Sequence, residues 1–334
     1  AYRQASIFPQ SVISHQIRKI EEKAYPYEFI KLERDQKGIV ATTTKKLPIS
    51  DFPISKKAVD KTGSFVVWER PIDDPAFGTY YASIDPVSEG KTTTSDSLCS
   101  IFVYKNPVEV TRETSGEMEH FIEKDKIVAS WCGRYDDINK THEQLELIIE
   151  WYKAWTIVEN NISLFIQHMI ARKKQKYLVP KQQILFLKDL GSNNTVYQEY
   201  GWKNTGTLFK SHLISYAIEY IREQIDQETD ENGEIMNVTL GVERIPDIML
   251  LKEMLAYFPG LNVDRLVAFS ALIAFAKVQQ SNRGYAKRVE TDDVNLEKSR
   301  NLYKLKYNPF KNIGRDYGGV TSKKFKKSPY KNFR

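Results

Sequence analysis

YYASIDPVSEGKTTTSDS (residues 80–97) and EQLELIIEWYKAWTIVENN (residues 143–161) are the two stretches that decide how this chain folds. In the first, Thr79 to Ile84 is rich in β-branched and aromatic residues. It reads as a strand closed by Asp85-Pro86 and a polar loop. In the second, Leu145, Leu147, Ile148, Ile149, Trp151 and Tyr152 recur with helical spacing, and Thr141 is the expected N-cap. Thr156 to Val158 then makes a short buried strand that ends at Glu159.

Outward from these stretches the pattern continues. Gly63 to Trp68 reads as a strand on the far side of a Pro71 to Gly78 loop. Leu98 to Tyr104 and Lys126 to Cys132 read as further strands, separated by an acidic, polar insertion. With the helical run Ile162 to Lys174, the order is a three-strand meander followed by helix, strand and helix. Antiparallel strands followed by alternating strand and helix predict an α/β fold, a mixed sheet with helices on its faces. Leu208 to Gln224 and Pro246 to Tyr257 are expected helices, separated by the polar loop DQETDENGE and a strand at Met236 to Gly241. Leu266 to Val278 is a strongly apolar helix. Upstream, residues 1–62 hold several turn-forming and charged clusters, a short helix around Ser14 to Ala24 and a β-prone Gly38 to Thr44, so they read as a connecting segment.

The 334 residues, 41% of them hydrophobic, can bury a sizeable core. The two cysteines, Cys99 and Cys132, have neither CxxC spacing nor a histidine pair beside them, which argues against a zinc site or a disulfide framework and for a reducing compartment. There is no apolar run long enough to span a bilayer and no secretory signal layout at the start, so a soluble intracellular protein is expected. The first residue is Ala, consistent with a fragment. The net charge of +6 is unevenly spread. Lysine and arginine crowd the stretch from Lys298 to Arg334, interleaved with Tyr303, Phe310, Tyr317 and Tyr330. A basic, aromatic tail over 286–334 suits phosphate contact and base stacking, and equally a solvated tail.

DPVSEGKTT, residues 85–93, superficially matches a phosphate-binding loop through Gly90, Lys91 and Thr92. Asp85 stands where the first glycine belongs, and the following TTTSDSLCSIFVYK is β-type, whereas a phosphate loop opens a helix. No ATP-binding loop is expected here. The acids carry the stronger signal. Asp85 ends one strand, Glu159 ends another and Asp264 immediately precedes the helix RLVAFSALIAFA. Each alone has a plain explanation as turn former, strand-end carboxylate or helix cap. Together, strand ends meeting at one edge of an open sheet can share hard divalent cations through oxygen ligands. Two such cations can activate a water and stabilise the leaving oxygen of an in-line displacement at phosphorus. Carboxylates suit Mg²⁺ or Mn²⁺.

Taken in order, the two stretches quoted first together with KIVASWCGRYDD (126–137), YGWKNTGTLFKSHLISYAIEYI (200–221) and NVDRLVAFSALIAFA (262–276) resemble the nuclease domain of phage terminase large subunits. The resemblance covers about residues 65–280. It implies an RNase H-like fold over 63–285 and a metal-dependent endonuclease that cleaves double-stranded viral DNA during genome packaging. It also implies two divalent cations, Mg²⁺ or Mn²⁺, held by Asp85, Glu159 and Asp264, with Asp96 as an auxiliary acid. Many relatives carry His-Asp-Asp before the last helix, where this chain has Asn262-Val263-Asp264-Arg265, so Asp264 is the sole acid there. By the same resemblance, an ATPase domain would precede residue 1, portal protein and small terminase subunit would be partners beside DNA, and the site of action would be the cytoplasm of an infected host cell. Lys203, Lys210 and Arg265 are the expected DNA contacts. Trp202 is either core or a stacking platform. A resolvase or transposase of the same fold is the nearest enzyme alternative, and a non-catalytic DNA- or portal-binding module is the alternative of a different class.

Overall fold

A computed structural model describes residues 6–22, 25–54, 60–90, 97–114, 117–184, 200–203, 207–229, 235–258, 261–283 and 286–291. Among them β1 (Glu28–Arg34), β2 (Ile39–Thr43), β3 (Phe65–Val67), β4 (Tyr80–Asp85), β5 (Cys99–Lys105), β8 (Lys126–Gly133) and β9 (Trp155–Val158) form one sheet of 7 strands, in the order β2-β1-β3-β8-β5-β4-β9. β4, β5 and β8 are the expected antiparallel meander. The helix α2 (Ile138–Tyr152) then carries the chain back along the sheet, so β9 runs in the direction of β4 and pairs with it in parallel.

β5, CSIFVYK, is buried at all seven positions and shows no polar alternation, because both faces of the sheet are covered. Along β4, Tyr81 belongs to one core cluster and Tyr80, Ala82 and Ile84 to the other, as the two-residue period of a strand requires. One face is covered by α4 (Thr207–Arg222) and α6 (Asp264–Arg283), the other by α2 and α3 (Leu164–Ala171). α6 lies across β4, β5 and β9 and buries Leu266, Phe269, Leu272 and Phe275. Each of these contributes on the order of 1.5–3 kcal/mol of apolar burial, so α6 is fixed firmly against the strands whose ends matter below.

Several expectations are corrected. Helix α2 begins earlier than its apolar spacing suggests, and its N-cap is Asp137, whose carboxylate accepts the Asn139 amide at 2.9 Å. Thr141 lies inside the helix and its hydroxyl accepts the Tyr135 amide instead. The insertion after β5 is a hairpin of β6 (Val108–Thr114) and β7 (Glu117–Glu123). The DQETDENGE stretch supplies β10 (Gln224–Thr229), paired with β11 (Ile235–Leu240). β11 is the strand expected at Met236 to Gly241; the polar residues of β10 hid that strand, since its burial pattern is largely exposed.

Within the segment 1–62, expected to connect, the described residues build part of this body. β1 and β2 extend the sheet from β3. Helix α1 (Gln10–Glu21) packs beside α5 (Ile248–Ala256), with the buried Gln16 amide donating to the Ile245 carbonyl at 3.0 Å. The stretch expected as tail begins with another strand, β12 (Ala286–Thr291), parallel to β6. The basic, aromatic residues from Lys298 onward lie outside the described residues. Cys99 and Cys132 are buried free thiols. No helix among the described residues is long and apolar enough to cross a membrane.

Candidate active site at one edge of the sheet

Register brings the first two acids together. In the β4/β9 pair Ile84 faces Val158, and the Glu159 amide donates to the Ile84 carbonyl at 2.9 Å. Asp85 and Glu159 are therefore consecutive with paired residues on adjacent parallel strands, whose backbones lie about 4.8 Å apart. β5 begins at the same edge, since Asp85 faces Ser100. Leu98, just before β5, brings a strand-end amide to this place.

That amide holds the third acid. Asp264 is the first residue of α6, and its Oδ2 accepts from the Leu98 N–H at 2.7 Å and from Asn262 Nδ2 at 3.3 Å. Asp264 thus reaches across to the β5 edge. In the first turn of α6 the Leu266 amide is satisfied by Glu253 Oε2 at 3.1 Å. Glu159 is buried, and its Oε1 accepts from Asn161 Nδ2 at 2.5 Å. The neighbouring Asn160 donates to the Tyr200 carbonyl, and Trp202 exchanges backbone bonds with Val158 and Asn160. Gly201, at φ +78, makes this approach possible, because a Cβ there would lie 2.7 Å from the Val158 carbonyl oxygen. Trp202 is core: it is buried and stacked on Phe209.

The acids feel one another. Asp85 keeps partial solvent access, yet burial pushes its carboxyl well above the usual carboxylate range, and Glu159 and Asp264 push it further. Lys210 pulls it back and Glu253 adds to the rise. Glu253 is itself held up, to about 7, chiefly by burial, with the Arg265 guanidinium opposing. Beside Asp264 opens a cavity of about 440 Å³, lined by Leu98, Asn262, Glu253, Arg265 and residues 51–54.

The expected DNA contacts separate. Lys203 is exposed and Lys210 is half-buried and close enough to act on Asp85. Arg265 is not available to DNA: it is buried, bonded to Glu253 at 2.9 Å and to the Ile49 carbonyl at 3.2 Å. Its position in the sequence beside Asp264 misled, because residues adjacent in a helix point to different faces. Lys181 was missed. Burial and the proximity of Lys203 both lower its pKa, so the two ammonium groups share one neighbourhood. The bridge between Pro180 and Tyr200 brings their segments together, and nothing in local composition announces that pairing. Asp96 lies outside the described residues.

Asp85, Glu159 and Asp264 lie at one edge, and Glu159 and Asp264 each raise the cost of ionising Asp85. Among the described residues, no group of three or more His, Cys, Asp or Glu is gathered tightly enough to enclose a metal ion. Compared with family models and with curated proteins, the sequence matches none.

Proposed function

We propose that this chain is an RNase H-like, metal-dependent endonuclease that cleaves double-stranded DNA, the nuclease part of a packaging terminase large subunit. The observation that carries the reading is the convergence of Asp85, Glu159 and Asp264 through the β4/β9 register and the Leu98 amide. The strand order β8-β5-β4-β9, with only β9 parallel to β4, agrees with an RNase H-like sheet, as does the further parallel bridge from Thr156 to Leu178 outside β9.

Each residue then has a task. Asp85 and Glu159, on adjacent strand ends, are the shared oxygen donors, and Asp264 supplies the third carboxylate from the opposing helix. Mg²⁺ or Mn²⁺ ions, two in number, would supply there a water of lowered pKa and neutralisation of the leaving oxygen. Leu98 and Asn262 orient Asp264; Asn161 orients Glu159. Lys203 and Lys181 contact backbone phosphates, and Lys210 offsets negative charge beside Asp85. The resemblance adds portal protein, the small subunit and an ATPase domain as partners and the infected cell's cytoplasm as the setting; these belong to the same proposal.

A Mn²⁺ titration followed by thermal melting tests the site. Mn²⁺ should raise the melting temperature of the wild-type chain, and Asp85→Ala and Asp264→Ala should remove that response. Melting indifferent to Mn²⁺ in all three proteins would favour a non-catalytic DNA- or portal-binding module.

A further inference from the structure

Arg134 immediately follows β8 and is almost fully buried, a costly location for a cation unless its donors are used. They are used on the connection between β4 and β5. Nε donates to the carbonyls of Glu89 at 3.0 Å and Gly90 at 2.8 Å, on the arm leaving Asp85. Nη1 donates to the Ser97 carbonyl at 3.1 Å, on the arm returning to β5. Nη2 also faces the Glu89 carboxylate at 3.4 Å. One planar guanidinium thus ties together both arms of the connection that leaves one candidate ligand and arrives at the amide holding another.

The departing arm has no slack. A Cβ on Gly90 would lie 1.9 Å from the Asp136 carbonyl oxygen, so this backbone presses directly on the chain just past Arg134. On the returning arm the next residue, Leu98, donates to Asp264. Asn262 completes the link, reaching both Ser97 Oγ at 3.4 Å and Asp264.

We infer that Arg134 is a positioning residue for the carboxylate site: by clamping the Glu89–Gly90 and Ser97 carbonyls it fixes the Leu98 amide, and through it the orientation of Asp264 relative to Asp85. The inference rests on the proposed metal site. Arginine suits this role because its donors sit on separate nitrogens of a planar fork, Nε toward Glu89 and Gly90 and Nη1 toward Ser97, whereas a lysine's three donors share one nitrogen. The clamp also explains why a connection that superficially matches a phosphate loop needs Gly90: the residue is there for contact with Asp136.

Arg134→Lys keeps the charge and removes the fork. In EDTA, hydrogen exchange at the Leu98 amide should accelerate in Arg134→Lys while amides of β5 and α6 remain protected. Mn²⁺ affinity, read by electron paramagnetic resonance of free Mn²⁺, should weaken by about 10–100-fold, the usual effect of removing a group that orients ligands. Gly90→Ala, which drives the departing arm off Asp136, should reproduce both changes and serves if Arg134→Lys does not fold. Unchanged Leu98 exchange in a folded variant overturns the inference. A wild-type chain that takes up no Mn²⁺ would instead overturn the metal site, and the Leu98 exchange would still decide whether Arg134 sets that amide.

Discussion

Arg265 and Lys203 carry the same charge in opposite surroundings, and substitution should separate them. Arg265 is one half of a buried ion pair, so Arg265→Ala leaves Glu253 buried without its cation, pushes its carboxyl further up, and should cost about 3–5 kcal/mol in denaturant unfolding. Lys203→Ala and Lys181→Ala should leave stability within about 0.5 kcal/mol. Their effect should appear in DNA binding: each lost phosphate contact reduces the slope of log affinity against log salt by about 0.9, a quantity Arg265→Ala does not change. At this scale the sequence singles out Asp85, Glu159 and Asp264 because each stands at a strand end or helix start, a local feature, and the fold brings the three to one edge. The placement of Lys181, Arg134 and the Leu98 amide was hidden because it arises from contacts between distant segments.

The elements around α2 and α3 carry a pH response. His142 on α2 is buried against Phe165 of α3, with His168 beside it and Asp137 at the start of its helix. Burial first, and His168 second, lower its pKa from 6.5 to about 4, with Asp137 opposing. Between those values the unfolded chain binds the proton and the folded chain does not, so folding stability from this group is complete above 6.5 and falls as pH drops toward 4. The loss should reach roughly 3 kcal/mol. Urea unfolding at several pH values should show that drop in wild type and a correspondingly flatter profile in His142→Gln; identical profiles would place the proton elsewhere. The helices and central strands were legible because their apolar periodicity is strong. The strands β6, β7 and β10 were not, because β7 and β10 are largely exposed and lack the alternation that marks a buried face, and β6 buries only Val108 and Val110 among its described side chains.

Over the whole molecule, the sheet extends past the meander into the segment that reads as a connector. β1 hydrogen-bonds to β3, α1 packs beside α5, and Phe8, Ile13, Ile20, Ile30 and Leu32 are buried core. A chain beginning at Gly63 should therefore lose cooperative thermal unfolding by circular dichroism, exposing the β3 edge and the α5 surface; a sharp, unshifted transition would show that residues 1–62 are dispensable. The part of this segment in the sheet was not legible because its loops are polar, and only the partner strand reveals why Ile30 and Leu32 are apolar. β4, β9 and α6 meet at the edge that carries Asp85, Glu159 and Asp264. Incubating the purified chain with supercoiled plasmid and Mn²⁺ tests the proposed nuclease most directly. Nicking and linearisation by the wild-type chain, abolished by EDTA and by Asp85→Ala with the variant still folded, is the result expected. Intact plasmid with a folded, DNA-binding wild-type chain, or cleavage that Asp85→Ala leaves unchanged, would contradict it.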